Sequence, residues 1–109
     1  MTTLFINLTP HMINVVDKEG KPVKNIPASG TVARCSQKEE IKEQLGGVDI
    51  YEMTFGEVIG LPAPVDGTMY IVSRLVAAAK PERKDLLVPG SLLRDSAGLP
   101  IGCVGLARP

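Results

Sequence analysis

The stretch GTMYIVSRLVAAAK, residues Gly67 to Lys80, contains the change of pattern that decides the fold. Met69 to Val72 form a continuous apolar and β-branched run, which is typical of a strand. From Ser73 the sequence becomes rich in alanine and predicts a short helix with Ser73 as its N-cap. Because a helix start leaves backbone N–H groups without intrahelical partners, such a hinge attracts anions. The stretch therefore predicts a mixed fold and a candidate anion-binding hinge.

Short strand patterns separated by turns occupy most of the remaining sequence, which nine prolines and eleven glycines interrupt. Strands are predicted at Leu4 to Leu8, Met12 to Asp17, Val23 to Ile26, Thr31 to Ser36, Leu86 to Val88 and Ile101 to Leu106. A further segment alternates from Val48 to Met53 as a strand does, bends at Gly56 and continues as a second strand piece at Glu57 to Ile59. Turns after Asp17 and at Ser96 to Gly98 predict hairpins. The sequence thus predicts a single domain, residues 1–109, with an α+β, mainly β fold. In this fold, antiparallel hairpins form a small sheet or partial barrel with one short helix.

The segment from Lys38 to Gln44 fits two structures. It contains good helix formers and is followed by a glycine pair that can end a helix. The segment could equally extend the preceding strand into a polar hairpin. An exposed hairpin and a short helical turn both remain open for this segment.

Composition restricts the classes of partner. Lysine plus arginine and aspartate plus glutamate both total 12, so no bulk charge draws the protein to nucleic acid or to a membrane surface. The apolar runs are too short to span a bilayer, and the first residues lack a secretory pattern. We therefore expect a cytoplasmic protein with reduced Cys35 and Cys103. A chain of 109 residues is small enough that we also expect homo-oligomerisation.

Catalytic chemistry has little support in the sequence. His11 is the single histidine, and the two cysteines lie far apart in the chain, so neither a nucleophilic triad nor a metal-ligand spacing is present. The carboxylates are mixed with lysines, as on a solvated surface. We expect a protein that is not an enzyme and has no catalytic residue, metal or cofactor. A phosphodiesterase that uses carboxylates such as Glu57 and Asp95 stays open as an alternative.

Binding of an anion has more support. Arginine is well shaped for two-point contact with phosphate, and the hinge places Arg74 beside Ser73. Two other donor-rich turns contain Arg34 and Arg94. The predicted ligand-binding residues are Arg34, Ser73, Arg74, Ser91 and Arg94 for phosphate groups, and His11, Tyr51 and Tyr70 for a stacked base. Each also fits a plain structural role: a capped helix for Ser73, a core ring for either tyrosine, a backbone-bonded corner for His11, and a local ion pair with Asp95 for Arg94.

Five segments together resemble a small family of bacteriophage and prophage proteins. The segments are INLTPHMINV, IPASGTVARC, FGEVIGLPAPVDGTMYIVSRLVAAA, LLVPGSLLRDSAGLPIGC and the final GL. They cover nearly the whole chain. Phage proteins of this size and build are similar in style to sponges that sequester nucleotide signals of bacterial immunity, such as cyclic ADP-ribose isomers in Thoeris defence or cyclic dinucleotides in CBASS defence.

The resemblance implies a function that agrees with the candidate residues. It implies a phage-type homo-oligomer in the host cytoplasm that binds and sequesters a small nucleotide immune signal and thereby inhibits antiphage defence. A sponge needs arginines, backbone donors and a stacking ring, all of which this sequence contains. The alternative is a protein-binding inhibitor or virion-associated interaction module without a small-molecule ligand, which would use exposed strand edges.

Overall fold

The computed structural model describes residues 3–109 and contains, within that range, eight strands and one short helix. The strands are β1 Leu4–Asn7, β2 Ile13–Val16, β3 Pro22–Ile26, β4 Arg34–Leu45, β5 Val48–Ile59, β6 Thr68–Ile71, β7 Leu86–Arg94 and β8 Pro100–Ala107, and the helix is α1 Arg74–Ala79. Strands dominate and the helix is short, so the predicted α+β, mainly β class is confirmed.

Six strands form one mixed sheet in the order β1-β6-β7-β8-β2-β3. The hairpins β2–β3 and β7–β8 are antiparallel, as the turn signals predict. The pairs β1–β6, β6–β7 and β2–β8 are parallel, and they join segments that lie far apart in the sequence. The last strand along the chain therefore lies inside the sheet, between β7 and β2.

The sheet curves until its two edge strands approach each other, which makes it a partly closed barrel. Asn7 at the end of β1 forms a parallel bridge with Ala28, just after β3. Its amide Nδ2 donates to the carbonyl oxygens of His11 at 2.8 Å and of Ile26 at 3.0 Å. Its Oδ1 accepts from the backbone N–H of Thr9 at 2.9 Å, so this buried side chain joins the two edges of the sheet.

Two apolar clusters lie on the two faces of the curved sheet. The inner cluster fills the barrel and comprises Ile13, Val15, Ile26, Ile71 and Cys103, with Phe5 and Leu106 packed against it. The outer cluster lies under α1 and comprises Leu8, Ala33, Tyr70, Val72, Val76, Ala77, Leu86 and Val88. Because most of β6 and the start of β7 are covered on both faces, the runs Met69 to Val72 and Leu86 to Val88 are continuously apolar rather than alternating.

The helix α1 follows β6 after two residues and has the predicted start. Ser73 has extended backbone angles, and its Oγ accepts the N–H of Val76 at 3.3 Å, as an N-cap does. The helix ends at Lys80, whose N–H bonds the carbonyl of Ala77 at 3.2 Å, and Pro81 prevents its continuation. Val76 and Ala77 are the buried residues of α1 and pack on the outer cluster.

Strands β4 and β5 form a separate two-stranded hairpin, which we call the arm, residues 34–59. The segment from Lys38 to Gln44 is strand throughout, so of the two structures left open the hairpin is present. At the base of the arm, Cys35 and Val58 pack against the outer cluster, where the arm meets α1. Beyond the base the arm leaves the rest of the molecule, which we call the body.

Cys35 and Cys103 are unpaired thiols. No helix in residues 3–109 has the length and apolar character needed to cross a membrane.

Candidate anion-binding groove

A groove of about 410 Å³ lies beside α1, between the start of β7 and the residues that follow β8. Its apolar surface comes from Ala77, Ala78, Pro81, Leu86, Val88 and Pro109. Four basic side chains also line it, namely Arg74, Arg83, Lys84 and Arg108. The groove thus combines an apolar floor with a concentration of positive charge in a protein that has no net charge.

Three different parts of the fold bring these basic residues together. Arg74 is the first residue of α1, and Arg83 and Lys84 lie in the loop that connects α1 to β7. Arg108 follows β8, and the pairing of Val88 with Ala107 places it beside the start of β7. There its Nη1 donates to the carbonyl oxygen of Lys84 at 3.2 Å, which connects the chain after β8 to the loop.

Arg83 is already engaged within the protein. Its Nε and Nη2 donate to the two carboxylate oxygens of Asp85, each at 2.8 Å, and Nη2 also donates to the carbonyl oxygen of Pro62 at 2.9 Å. The hydrogen bonds from Arg83 lower the pKa of Asp85, and burial opposes this effect. Asp85 therefore neutralises Arg83, so this arginine holds the loop rather than adding free charge to the groove.

The other three cations, Arg74, Lys84 and Arg108, have no carboxylate partner. Among residues 3–109, no aspartate or glutamate forms an ion pair with any of them. All three side chains belong to exposed residues at the rim of the groove. Guanidinium and ammonium groups of this kind form charge-assisted hydrogen bonds to phosphate or carboxylate oxygens. The groove can therefore hold an anion at its rim and an apolar or flat group on its floor.

The predicted phosphate-binding residues lie in different places. Arg74 lines the groove, whereas Arg34 and Arg94 do not. Arg34 begins β4 and faces Ile59 across the arm. Arg94 ends β7, about 20 Å along the strand from Val88, and its Nη1 donates to the carbonyl oxygen of Gly98 in its own hairpin turn at 2.9 Å. The three arginines are thus dispersed within one chain, because β7 separates Arg94 from the groove and the arm holds Arg34.

The two predicted serines are also separated. Ser73 adjoins the groove, but its Oγ accepts the N–H of Val76, which is one of the groups that the hinge offers to an anion. Since α1 has six residues, its N-terminus adds little to the charge of Arg74. Ser91 lies in the middle of β7, where it pairs with Val104 and is exposed.

The three predicted base-stacking residues are not at the groove. Tyr70 is only 3% exposed, and its hydroxyl lies 3.4 Å from the carbonyl oxygen of Ala63, so it is a core residue and its ring is closed to a ligand. Tyr51 is exposed on the arm. His11 is exposed in the corner between β1 and β2, where its carbonyl oxygen accepts from Asn7.

The sequence analysis missed Arg83, Lys84 and Arg108. The position of Arg83 and Lys84 could have been predicted from the segment PERKD. This segment directly follows the helix and precedes a strand that pairs with β6, so its side chains lie near the end of the helix. The position of Arg108 depends on the register of β8 against β7, which local patterns do not give. The predicted hinge therefore adjoins the groove. Most of the positive charge of the groove, however, comes from side chains outside the hinge.

A second cavity, of about 400 Å³, opens at the mouth of the barrel. It is lined by Phe5, Val15, Val23, Lys24, Ile26, Leu87, Leu106 and Arg108. The Nζ of Lys24 lies 5.8 Å from the centre of the Phe5 ring, a distance at which a cation is attracted to an aromatic face. We call this surface the barrel mouth. It is apolar and has two cations at its rim.

In the part of the chain that the structure describes, no group of histidine, cysteine, aspartate and glutamate side chains is arranged to hold a metal ion. Comparisons with protein-family models, with curated proteins and with solved structures give no match to this chain.

Proposed function

We propose that the protein binds a small phosphorylated ligand of nucleotide size in the groove and holds it without changing it. The observation that carries this proposal is the set of Arg74, Lys84 and Arg108 at the rim, all without carboxylate partners. Their charges are not needed to balance acidic residues of the groove. An anionic ligand would therefore bring the counter-charge that the protein itself does not provide.

The size and lining of the groove fit such a ligand. A volume of about 410 Å³ lies within the range of small-molecule sites, roughly 300–1,000 Å³. The rim offers donors in the planar geometry that suits phosphate oxygens. The floor between Ala77 and Leu86 offers apolar surface for a base or ribose.

The lining supports sequestration rather than turnover. The described residues of the groove contribute no carboxylate, imidazole, thiol or hydroxyl side chain, which are the usual groups for proton transfer or nucleophilic attack. The resemblance to a phage family adds a ligand class. We propose that the ligand is a nucleotide signal of bacterial immunity, either a cyclic ADP-ribose isomer or a cyclic dinucleotide, and that its capture in the host cytoplasm inhibits antiphage defence.

Thermal unfolding with a panel of these nucleotides tests the proposal. A ligand present at 100 times its Kd stabilises the folded state by about 2.7 kcal/mol, which raises the Tm by roughly 10 °C. The double variant Arg74→Ala/Lys84→Ala should lose this shift. The matched control Lys18→Ala/Lys21→Ala removes the same charge from the turn between β2 and β3 and should keep it.

Two outcomes would contradict the proposal. In the first, none of the nucleotides shifts the Tm of the wild-type protein. In the second, the control variant loses the shift as fully as the groove variant, which would indicate general charge attraction. Recovery of intact nucleotide after heat denaturation of the complex distinguishes sequestration from hydrolysis.

A second candidate function is an interaction module without a small-molecule ligand, and the arm is the observation that favours it. Its two strands pair with each other and with no other described strand, so both outer edges are open to a protein partner. A pull-down from infected cells separates the two functions. A stoichiometric protein partner, together with protein that carries no nucleotide, would favour the module.

A further inference from the structure

The arm extends the molecule well beyond a compact shape. The radius of gyration is 16.9 Å, whereas a compact chain of 109 residues has one of about 13 Å. Each strand of the arm has 12 residues and is therefore about 40 Å long. A two-stranded hairpin is marginally stable at best when it stands alone in water. The arm consequently needs a surface to lie against.

The register of the arm places four large apolar side chains of its middle part on one face. Residues directly opposite each other in an antiparallel pair lie on the same face, and Tyr51 is opposite Ile41. Met53 and Phe55 share this face because side chains alternate along β5. Their exposed fractions are 57% for Ile41, 54% for Tyr51, 52% for Met53 and 47% for Phe55. Contiguous exposed apolar surface of this kind marks a protein interface.

The opposite face of the arm is polar along the same middle part, whereas near the tip of the arm it carries Ile50 and Val48. It contains Lys38 opposite Thr54 and Glu40 opposite Glu52. Lys42 reaches the same face, since its Nζ lies 2.7 Å from a carboxylate oxygen of Glu52. An antiparallel sheet with one polar and one apolar face normally has the polar face in water and the apolar face on a core. The arm has no core of its own, so another molecule must supply one.

The charges of the arm and the body favour the body of a second copy as the surface that covers the arm. The arm contains three basic and six acidic residues, whereas the rest of the chain contains nine basic and six acidic ones. The arm thus carries a net charge of −3 and the body one of +3. An arm from one copy is attracted to the body of another copy, and two arms repel each other.

The barrel mouth is the surface of the body that complements the arm. It is apolar, it is open, and Lys24 at its rim has no carboxylate partner among the described residues. The apolar face of the arm contains Glu39, which lies opposite Met53 between the aromatic side chains. We propose that the arm of each copy docks its apolar face on the barrel mouth of a second copy, with Glu39 near Lys24 of that copy.

The area of such an exchange suits a stable dimer. The part of β4 beyond the base, residues 37–45, is about 30 Å long, and a face two strands, roughly 10 Å, wide then covers about 300 Å². In a two-fold dimer each copy contributes its own arm and receives the partner's arm, which buries about 600 Å² per copy, at the lower end of the range for specific interfaces. Arg108 lines both the groove and the barrel mouth, but the dimer can be measured in the absence of any nucleotide, so its failure is distinguishable from failure of the proposed function.

Light scattering after size-exclusion chromatography tests whether the apolar face of the arm holds the dimer together. The wild-type protein should be a dimer at micromolar concentration. The variant Tyr51→Ser/Met53→Ser/Phe55→Ser should be monomeric. The control Lys38→Ser/Glu40→Ser/Thr54→Ser alters the polar face by the same number of residues and should remain dimeric. A monomeric wild-type protein, or a polar-face variant that dissociates as fully as the apolar-face variant, would overturn the proposal.

A charge exchange tests the docking site without relying on the folding of a triple variant. Glu39→Lys alone and Lys24→Glu alone each place like charges together at both ends of the dimer, and each should raise the dimer Kd by at least about tenfold. A mixture of the two variants should regain the wild-type Kd, because the heterodimer has opposite charges at both contacts. Failure of the mixture to recover would show that the arm docks elsewhere.

Discussion

Arg83 and Asp85 form a two-point ion pair in which Nε meets Oδ1 and Nη2 meets Oδ2, both at 2.8 Å. The same Nη2 also reaches the carbonyl oxygen of Pro62 at 2.9 Å. The pair therefore connects the loop before β7 to the loop before β6, the two strands that lie on either side of α1 in the chain. It also removes one of the four groove cations from ligand binding.

We expect Asp85→Asn to lower the free energy of unfolding by about 1–3 kcal/mol at neutral pH, because both charge-assisted bonds weaken. The Arg83 hydrogen bonds lower the pKa of Asp85 from its usual 3.8, so the pair stabilises the fold fully above that pH. Its contribution is lost as the pH falls through the lowered pKa. Urea titrations from pH 7 to pH 2 should show the difference between wild type and variant shrinking below about pH 4. A difference that stays constant to pH 2 would contradict this role.

The Asn7 side chain joins the two edge strands of the barrel, so its replacement should lower the free energy of unfolding strongly. In Asn7→Asp a carboxylate would face the carbonyl oxygens of His11 and Ile26 in place of an NH₂ donor. We expect a loss of about 3 kcal/mol or more at pH 7, measured by urea unfolding. Thr9→Val is the control, because it removes only the hydroxyl whose Oγ1 lies 2.6 Å from Asn7 Oδ1 and 3.0 Å from the carbonyl oxygen of His11, and it should cost about 1 kcal/mol. Equal losses in the two variants would show that Asn7 is not the critical group.

Gly90 lies where β7 passes close to the backbone of β8. A Cβ there would collide with the carbonyl oxygen of Val104 and lie 2.7 Å from that of Gly105, and both are backbone atoms. We expect Gly90→Ala to cost about 2–3 kcal/mol in thermal or urea unfolding. Gly98→Ala is the comparison, since its Cβ meets open space and only the positive φ of 82° opposes it, at about 1 kcal/mol. The reverse order would contradict the observed packing of β7 on β8.

Variants of Ser73 can distinguish a role of its hydroxyl in capping the helix from a role in ligand binding. Because its Oγ accepts the N–H of Val76, Ser73→Ala should lower stability by about 1 kcal/mol, and Ser73→Asp should restore it. Neither change should weaken nucleotide binding in the Tm assay, apart from the added charge of the aspartate. A loss of binding in Ser73→Ala without a loss of stability would instead place the hydroxyl on the ligand.

Local sequence patterns were enough to predict the elements whose partners lie nearby. The cap at Ser73, the end of α1 before Pro81 and the turn at Ser96 to Gly98 all follow from the preferences of a few adjacent residues. The segment from Lys38 to Gln44 stayed ambiguous because its residues suit a helix, and the pairing of Ile41 with Tyr51 across the arm decides for a strand. In this segment the cross-strand pairing outweighs the intrinsic helix propensity of the residues.

The parallel pairs and the groove could not be predicted in this way. β1 pairs with β6, although β2, β3 and the arm separate them in the chain, and no local signal specifies that choice. Arg74 was identified because it adjoins a visible hinge. Lys84 and Arg108 meet because β8 runs antiparallel to β7 with Ala107 opposite Val88, which is a property of the assembled sheet.

The location of β8 between β7 and β2 has a consequence for synthesis on the ribosome. Until residues 100–107 have emerged, β2 has no strand paired along its second edge, and the β6–α1–β7 unit has an open edge. The pairing of the arm is local and needs no residue after Ile59. The nascent chain therefore exposes the apolar side chains of the arm before the barrel exists, and completion of the sheet must wait for the final strand.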